Sequence, residues 1–579
     1  MTQNQSNLKI KIGNSVIILL SIIGLISCLV AFFFPQVSAK LIEQIFHRKI
    51  IYPGAFNLLQ SLAMGGICSI LFFCFCTLTD SGKLFVRKVK LEFEDCLAEI
   101  DFRSLLKPTL LLSGVYLLGI LTIIRANALY LDDIRRSING ERVWYDWSRW
   151  VAEFTSIFIH GDTNLTDISP LPQLLAIIIL SISSVLLVYC MSNGKITTIR
   201  LLASIPLGLS PYFLECLSYK FDAPYMALSI FACIIPFLFI ARKKAFFFCS
   251  VISLLVMCMS YQAASGIYLM VVIIVCFQDW NCQKKTNKEI LAFGCIAVLA
   301  FCCAMILFRL FLMKPTMSDI YASTAMHPLP DILSGTLNNI KNFVTTINQD
   351  LGVVWKIGII LILILFIIKS IHISLQGKIQ SLLVSILVIS LNFILSYGVY
   401  ILLVKPVFHP RTLYGFGLFL SIVCIYVVSD YKKMATGVVL TLNWCFLVFA
   451  FSYGNALSDQ ARYANFRTGL LLNDLSALYP NRNAEGIQIQ IERAIEHTPS
   501  IRNISKHYPI IKRLVPPRLG DGWDAYYLLY FNHNQNTTFN QPSDPPHVDF
   551  QYLDLPVVLD SYYHTIQSDG KHVLVILKH

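Results

Sequence analysis

The chain has 579 residues, of which 56% are hydrophobic and only 14% charged, with a mean hydropathy of +0.63. That composition excludes an ordinary water-soluble protein of this length and is that of a polytopic helical membrane protein. The formal charge of +12 points to membrane orientation and not to nucleic acid, because its Lys and Arg residues are spread over short loops.

All 17 cysteines lie at or before Cys445, mostly within apolar runs, where free thiols behave as small apolar residues. The polar C-terminal segment has none, which argues against a disulfide scaffold there. No CxxC…CxxC or HExxH arrangement occurs, so a built-in zinc site is not expected.

Lys9 and Lys11 precede an apolar run at 15–34 that has the outline of a signal peptide. The run is too long for one, lacks a clear small-residue cleavage site and is followed by many more, so it reads as a retained first span. A second run, 55–78, leads into a loop with Lys83, Arg87, Lys88, Lys90, Arg103 and Lys107. This Lys/Arg density marks the cytoplasmic side. The third run, 108–124, then carries the chain outward to Asp132 and Asp133, just beyond the hydrocarbon.

Further spans are expected at 171–190, 201–214, 224–240, 246–260, 266–276, 290–312, 353–368, 381–404, 412–428 and 434–451. The total is about thirteen. The runs 246–260 and 266–276 are short for a bilayer, as tilted or re-entrant segments are. Lys195 and Arg200, Arg242 to Lys244, Lys284, Lys285 and Lys288, Lys369 and Lys378, and Lys432 and Lys433 all fall on the inner side of this alternation. The N-terminus is then expected inside and the C-terminus outside.

The outer loop holding the acidic pair is about 45 residues long, more than a connection needs, which points to a functional loop. Within it, Asp146 is expected to cap a helix in which Trp147, Trp150, Val151, Phe154, Ile157 and Phe158 recur at helical spacing. Such a helix suits the membrane surface. Three other outer loops carry polar residues: Glu215, Lys220 and Asp222; Gln262; and Lys405, His409 and Arg411. Taken singly, each is an ordinary interfacial charge or cap. Their coincidence on the face of Asp132 and Asp133 points to one outward-opening cavity.

Beyond residue 452 the hydropathy collapses. The division expected is a transmembrane domain over 1–452 and a small soluble α/β domain over 453–579. In the latter, 456–478 reads as helix, 486–491 as a strand, and 557–560 with 572–577 as a terminal hairpin closed at 568–570. The run Trp523 to Tyr527 is aromatic and polar, suited to core packing or sugar stacking.

The residues Arg125-Ala-Asn-Ala to Asp132-Asp133, Phe221-Asp-Ala-Pro-Tyr225, Tyr261-Gln262 and His409-Pro-Arg-Thr412 resemble those of the type-specific O-antigen glucosyltransferases of serotype-converting bacteriophages. That family is grouped with the membrane glycosyltransferases of the GT-C class. The resemblance covers the whole membrane region.

It implies an enzyme of the bacterial inner membrane with a periplasmic C-terminal domain. The reaction implied is inverting transfer of a hexose, usually glucose, from undecaprenyl phosphate to O-antigen repeats of lipopolysaccharide. The donor-making transferase and a flippase are implied partners. In GT-C enzymes the acidic pair usually lies in the first outer loop, whereas here it follows the third span, as an additional N-terminal helix pair would produce.

In this reading Asp132 or Asp133 is the general base, the first favoured by analogy. Arg411, with Lys405, His409 and Lys220, holds the donor phosphate, since a guanidinium binds phosphate oxygens in bidentate fashion. Asp222, Glu215 and Gln262 contact sugar or acceptor. A divalent metal beside the acidic pair is compatible with the sequence but not required by it. Two competing readings are a polytopic transporter, against which the absence of inverted-repeat symmetry counts, and a transferase acting on lipid A.

Overall fold

The computed structural model describes residues 79–313, 325–430, 433–479, 487–519 and 549–578, together with the short strands 317–318, 322–323 and 538–539. The expected spans at 15–34 and 55–78 and the run Trp523 to Tyr527 lie outside the described residues.

Among the described residues, eight helices are long and apolar enough to cross a membrane, or nine if one bent pair is a single span. Residues 201–214 fall in that bent pair, Thr198–Leu209 and Pro211–Ser218, whose axes meet at 60°. The cause is local: Ser210 is extended (ψ 147°), as a residue before proline tends to be, and Pro211 opens the next helix.

The runs expected to be short extend at their polar ends into Lys243–Ser260 and Gln262–Asn281, of 18 and 20 residues. Two expected spans appear as shorter apolar helices, Ala223–Phe239 and Gly415–Val427. Every residue of Gly415–Val427 is buried.

The apolar residues sort into two environments. Pro211–Ser218, most of Ala223–Ile234 and Gly415–Val427 form the centre. Asn287–Leu307, Val353–Ile373 and Lys378–Leu395 instead turn Leu299, Val354, Ile360 and Leu383 outward. Helices that expose leucine and isoleucine along their length require an apolar solvent, which makes this the wall of a membrane body. Gly454 permits a close crossing inside it, because a Cβ there would lie 2.3 Å from Thr122 Oγ1 on the helix Phe102–Ala126.

Loops expected on one side of the membrane meet one another in space. At one end Arg242 pairs with Asp95 and Glu99, Arg200 donates to Ser429 O, and Gln283 donates to Leu375 O. At the other end Lys220 N meets Asp133, Arg411 meets Glu215, and Gln262 meets the Trp147 carbonyl.

The last span does not stop near residue 452 but continues as one 46-residue helix, Lys433–Leu478, into the C-terminal region. A five-stranded mixed sheet packs beside its second half, in the order Thr538–Phe539, Gln488–Glu492, His572–Leu577, His564–Ser568, Val557–Asp560. The strand expected near 486–491 is present, parallel to His572–Leu577 with Ile491 opposite Val575.

The expected terminal hairpin contains an extra strand, His564–Ser568, so this end is a three-strand meander. Its polar residues hid it, yet His564, Ile566 and Ser568 alternate inward. Ile501, Ile510, Ile511, Leu514 and Val515 belong to the core of the membrane body and not to the sheet.

Candidate active site

The acidic pair is positioned by two turns. Asn127 ends the helix Phe102–Ala126 in the left-handed conformation (φ 44°), which asparagine tolerates better than most residues. After Leu131, also at positive φ, the helix Asp132–Asn139 begins with both aspartates in its first turn. There the helix dipole favours negative charge.

The two carboxylates then part company. Asp133 is fully buried, and its Oδ2 accepts the backbone N–H groups of Tyr130 and Lys220, each at 3.0 Å. Burial pushes its carboxyl up to about 7, against the opposing effect of those two amides. Asp132 is exposed.

Around the pair, buried charges are matched. Arg136 ion-pairs with Asp222 and lies over the Trp144 ring at 4.3 Å, while the Trp144 indole N–H also donates to Asp222. Arg135 pairs with Glu141. Lys220 donates through Nζ to Asn127 Oδ1 at 2.6 Å and to Asp167 Oδ2 at 2.9 Å.

Glu215 is buried and accepts from the Tyr130 hydroxyl at 3.2 Å, from the Arg411 backbone N–H, and from Arg411 Nη1 at 3.4 Å. Arg411 Nη1 also donates to the Tyr219 hydroxyl. His409 is exposed at its surface edge, and the protein packed behind it, with the Arg411 and Arg513 guanidiniums, lowers its ring from the usual value. Lys405 is exposed on the same loop.

Several residues of this end were not singled out from sequence. Arg513, from the C-terminal region, pairs with Asp350 and donates to Phe408 O beside His409. The Tyr130 hydroxyl donates to Leu514 O at 2.8 Å, and Arg518 donates to Leu129 O. The segment around 511–518 therefore closes over the acidic loop. Only tertiary contact brings it there, and its local sequence carries no signal of it.

The helix expected after Asp146 spans Trp150–His160, but Arg149 is its N-cap and no side chain caps it. Asp146 lies instead in the single 3₁₀ turn Trp144–Trp147. Glu153 accepts the backbone N–H groups of Trp144 and Tyr145, at 3.0 and 3.3 Å, and so draws the chain into that turn. Ala152, Glu153 and Ser156 are buried, whereas Phe154 and Phe158 face outward. Gln262 Nε2 donates to Trp147 O at 3.0 Å, and Arg149 lies over the Tyr261 ring.

Among the described residues, no group of three or more His, Cys, Asp or Glu is placed to hold a metal ion. The acidic pair itself offers one exposed carboxylate, Asp132, and one buried one, Asp133, whose Oδ2 is taken by two backbone amides while its Oδ1 has no hydrogen-bond partner.

An exposed carboxylate beside buried, paired charges lies at one end of a body of long apolar helices, and that body defines a polytopic membrane protein. Residues 121–422 match the family described as glucosyl transferase GtrII, and the chain belongs to that family of glycosyltransferases. The match encloses every candidate residue from Asp132 to Arg411. The chain is also 23% identical, over 71% of its own length and 86% of the other's, to a protein of Salmonella phage P22 described as an uncharacterized 55.3 kDa protein in the gtrB 5′ region. No solved structure matches.

Proposed function

We propose that the protein transfers a hexose, glucose in the first instance, from undecaprenyl phosphate to O-antigen repeats of lipopolysaccharide at the periplasmic face of the bacterial inner membrane. The reading is supported chiefly by one observation: within the family-matched region, Asp132 offers an exposed carboxylate at the end of the body where Lys220 N meets Asp133 and Arg411 meets Glu215.

In this mechanism an acceptor hydroxyl attacks the anomeric carbon from the side opposite the lipid phosphate. The new C–O bond forms as the bond from the anomeric carbon to the phosphate oxygen breaks, which inverts the centre. The hydroxyl proton passes to the Asp132 carboxylate. The departing lipid phosphate gains charge, and Arg411 and Lys405 stabilise it.

Asp133 does not reach the acceptor. Its bonds to the Tyr130 and Lys220 amides fix the start of the helix that carries Asp132. Asp222 and Glu215 hold Arg136 and Arg411 in place, and Gln262 orients the Trp147 turn.

Sugar transfer from radiolabelled undecaprenyl phosphate glucose to O-antigen, in membranes with and without the protein, tests the reading. Labelled lipopolysaccharide that depends on the protein is the expected result. Label found on lipid A alone, or moved across the membrane without transfer, would replace it with one of the competing readings.

A further inference from the structure

Behind Lys220 lies a cavity of about 250 Å³ to which none of the sugar contacts assigned above belongs. Its wall includes Ile124 and Asn127 at the end of one helix, Gln173 at the start of another, and Ser218, Lys220 and Leu457. Gln173 is only 3% exposed, and its side-chain Oε1 has no hydrogen-bond partner. A buried acceptor left unmatched costs about 1–3 kcal/mol. Oε1 is closed off from solvent as the amide lies, and a turn about the last side-chain torsion brings it into the cavity that Gln173 lines, where a ligand donor can meet it.

The remaining chemistry narrows that ligand. Lys220 uses two acceptors, Asn127 Oδ1 and Asp167 Oδ2, and an ammonium has a third N–H to give. Its charge is balanced by Asp167, so the cavity holds no spare cation for a phosphate. Ile124 and Leu457 supply apolar wall, as the C–H face of a pyranose requires. Lys220 also joins the cavity to the acidic loop, because its backbone N–H bonds the Asp133 carboxylate.

We infer that this cavity is a hexose subsite, in which Gln173 accepts from a sugar hydroxyl, Lys220 donates to another, and Ile124 and Leu457 cover the apolar face of the ring. The inference rests on the glycosyltransferase reading and leaves two sources for the sugar: the donor's hexose or a residue of the acceptor.

The test uses the full-length protein in lipid nanodiscs and two photoprobes. One is undecaprenyl phosphate glucose bearing a diazirine on the sugar; the other is an O-antigen oligosaccharide bearing the same group. Crosslinks to 123–128 or 169–173 by either probe are expected, and the probe that gives them names the source. Labelling confined to other segments overturns the subsite.

Steady-state kinetics of Gln173→Leu provide the second measurement. KM for the sugar substrate that labels the cavity should rise about 5- to 100-fold. Inhibition by undecaprenyl phosphate without sugar should not change. Unchanged KM values for both substrates, or an equal loss for the sugarless lipid, overturn the proposal. Ala128→Phe, which adds bulk at the same wall, should repeat the effect if Gln173→Leu proves too unstable to assay. Transfer by the wild type with label elsewhere sinks the subsite alone, whereas label in the cavity without any transfer sinks the glycosyltransferase reading alone.

Discussion

Asp132 and Asp133 are neighbours in the chain but stand in opposite environments: the first is exposed, and the second is fully buried with Oδ2 bound to the amides of Tyr130 and Lys220. Successive helical residues point about 100° apart, so one carboxylate can face an acceptor while the other secures the loop. Asp132→Asn should therefore lower kcat by about 10²- to 10⁴-fold, the range of a general base, with little change in thermal stability. Turnover within a few-fold of wild type in a correctly inserted Asp132→Asn protein would remove it from the chemistry.

Asp133 should report through stability instead. Its ordinary value of 3.8 is raised to about 7 in the folded protein. Between these values the folded chain keeps a proton there that the unfolded chain has released. This residue's contribution to stability therefore falls as pH rises through that window. Asp133→Asn cannot ionise, so the midpoint of thermal unfolding should decline less between about pH 5 and about pH 8 than in the wild type. Parallel midpoint curves would show that the buried carboxyl does not titrate there.

Much of this organisation was legible in the sequence, for identifiable reasons. Span length and the placement of Lys and Arg depend on the bilayer and need no knowledge of partners, so the sequence groups the loops of Asp132, Glu215, Gln262 and Arg411 at one end, and in the structure those loops meet. What each charge binds was not legible. Lys220 meets Asp167, Arg411 meets Glu215, and Arg513 meets Asp350, all across wide gaps in sequence. The cap assigned to Asp146 failed for the same reason, because Glu153 and Asp222 captured the Trp144 turn.

Arg411 is held by Glu215 and Tyr219, so its removal should have two separable effects. Arg411→Ala leaves the Glu215 carboxylate buried without its cation, which should lower stability. Adding Glu215→Gln should recover most of that loss. If Arg411 serves the donor phosphate, the double variant should still show a KM for undecaprenyl phosphate glucose at least about tenfold above wild type, a loss of about 1.4 kcal/mol. Recovery of donor KM together with stability would make Arg411 a purely structural cation.

Arg513 joins the C-terminal region to the membrane body through the nearly buried carboxylate of Asp350, which also accepts from the Tyr212 hydroxyl at 3.1 Å. Burial pushes Asp350 up, and Arg513 opposes that rise. Breaking such a pair from one side costs about 3–5 kcal/mol, because the remaining charge stays desolvated. Arg513→Met should therefore be more destabilising than Arg513→Met with Asp350→Asn, measured by thermal unfolding in the same detergent. Equal losses would mean that Asp350 is not held as an ion in the folded protein.

The orientation proposed for the chain has a direct test, and the structure dictates where the reporter must go. Ser568 is buried in the sheet, so a thiol there would be silent on either side of the membrane. Lys571, in the exposed turn before the last strand, presents its side chain to solvent. In a background whose native accessible cysteines are replaced, Lys571→Cys should react in intact cells with a membrane-impermeant maleimide. A thiol at Lys88 should react only after permeabilisation, since the charge pattern puts that loop in the cytoplasm. The contacts among Tyr130, Leu514, Arg513 and Phe408 tie the C-terminal region to the end that carries Asp132. Labelling of Lys571→Cys only after permeabilisation would therefore move the acidic pair to the cytoplasmic face as well, and periplasmic transfer would fail with it.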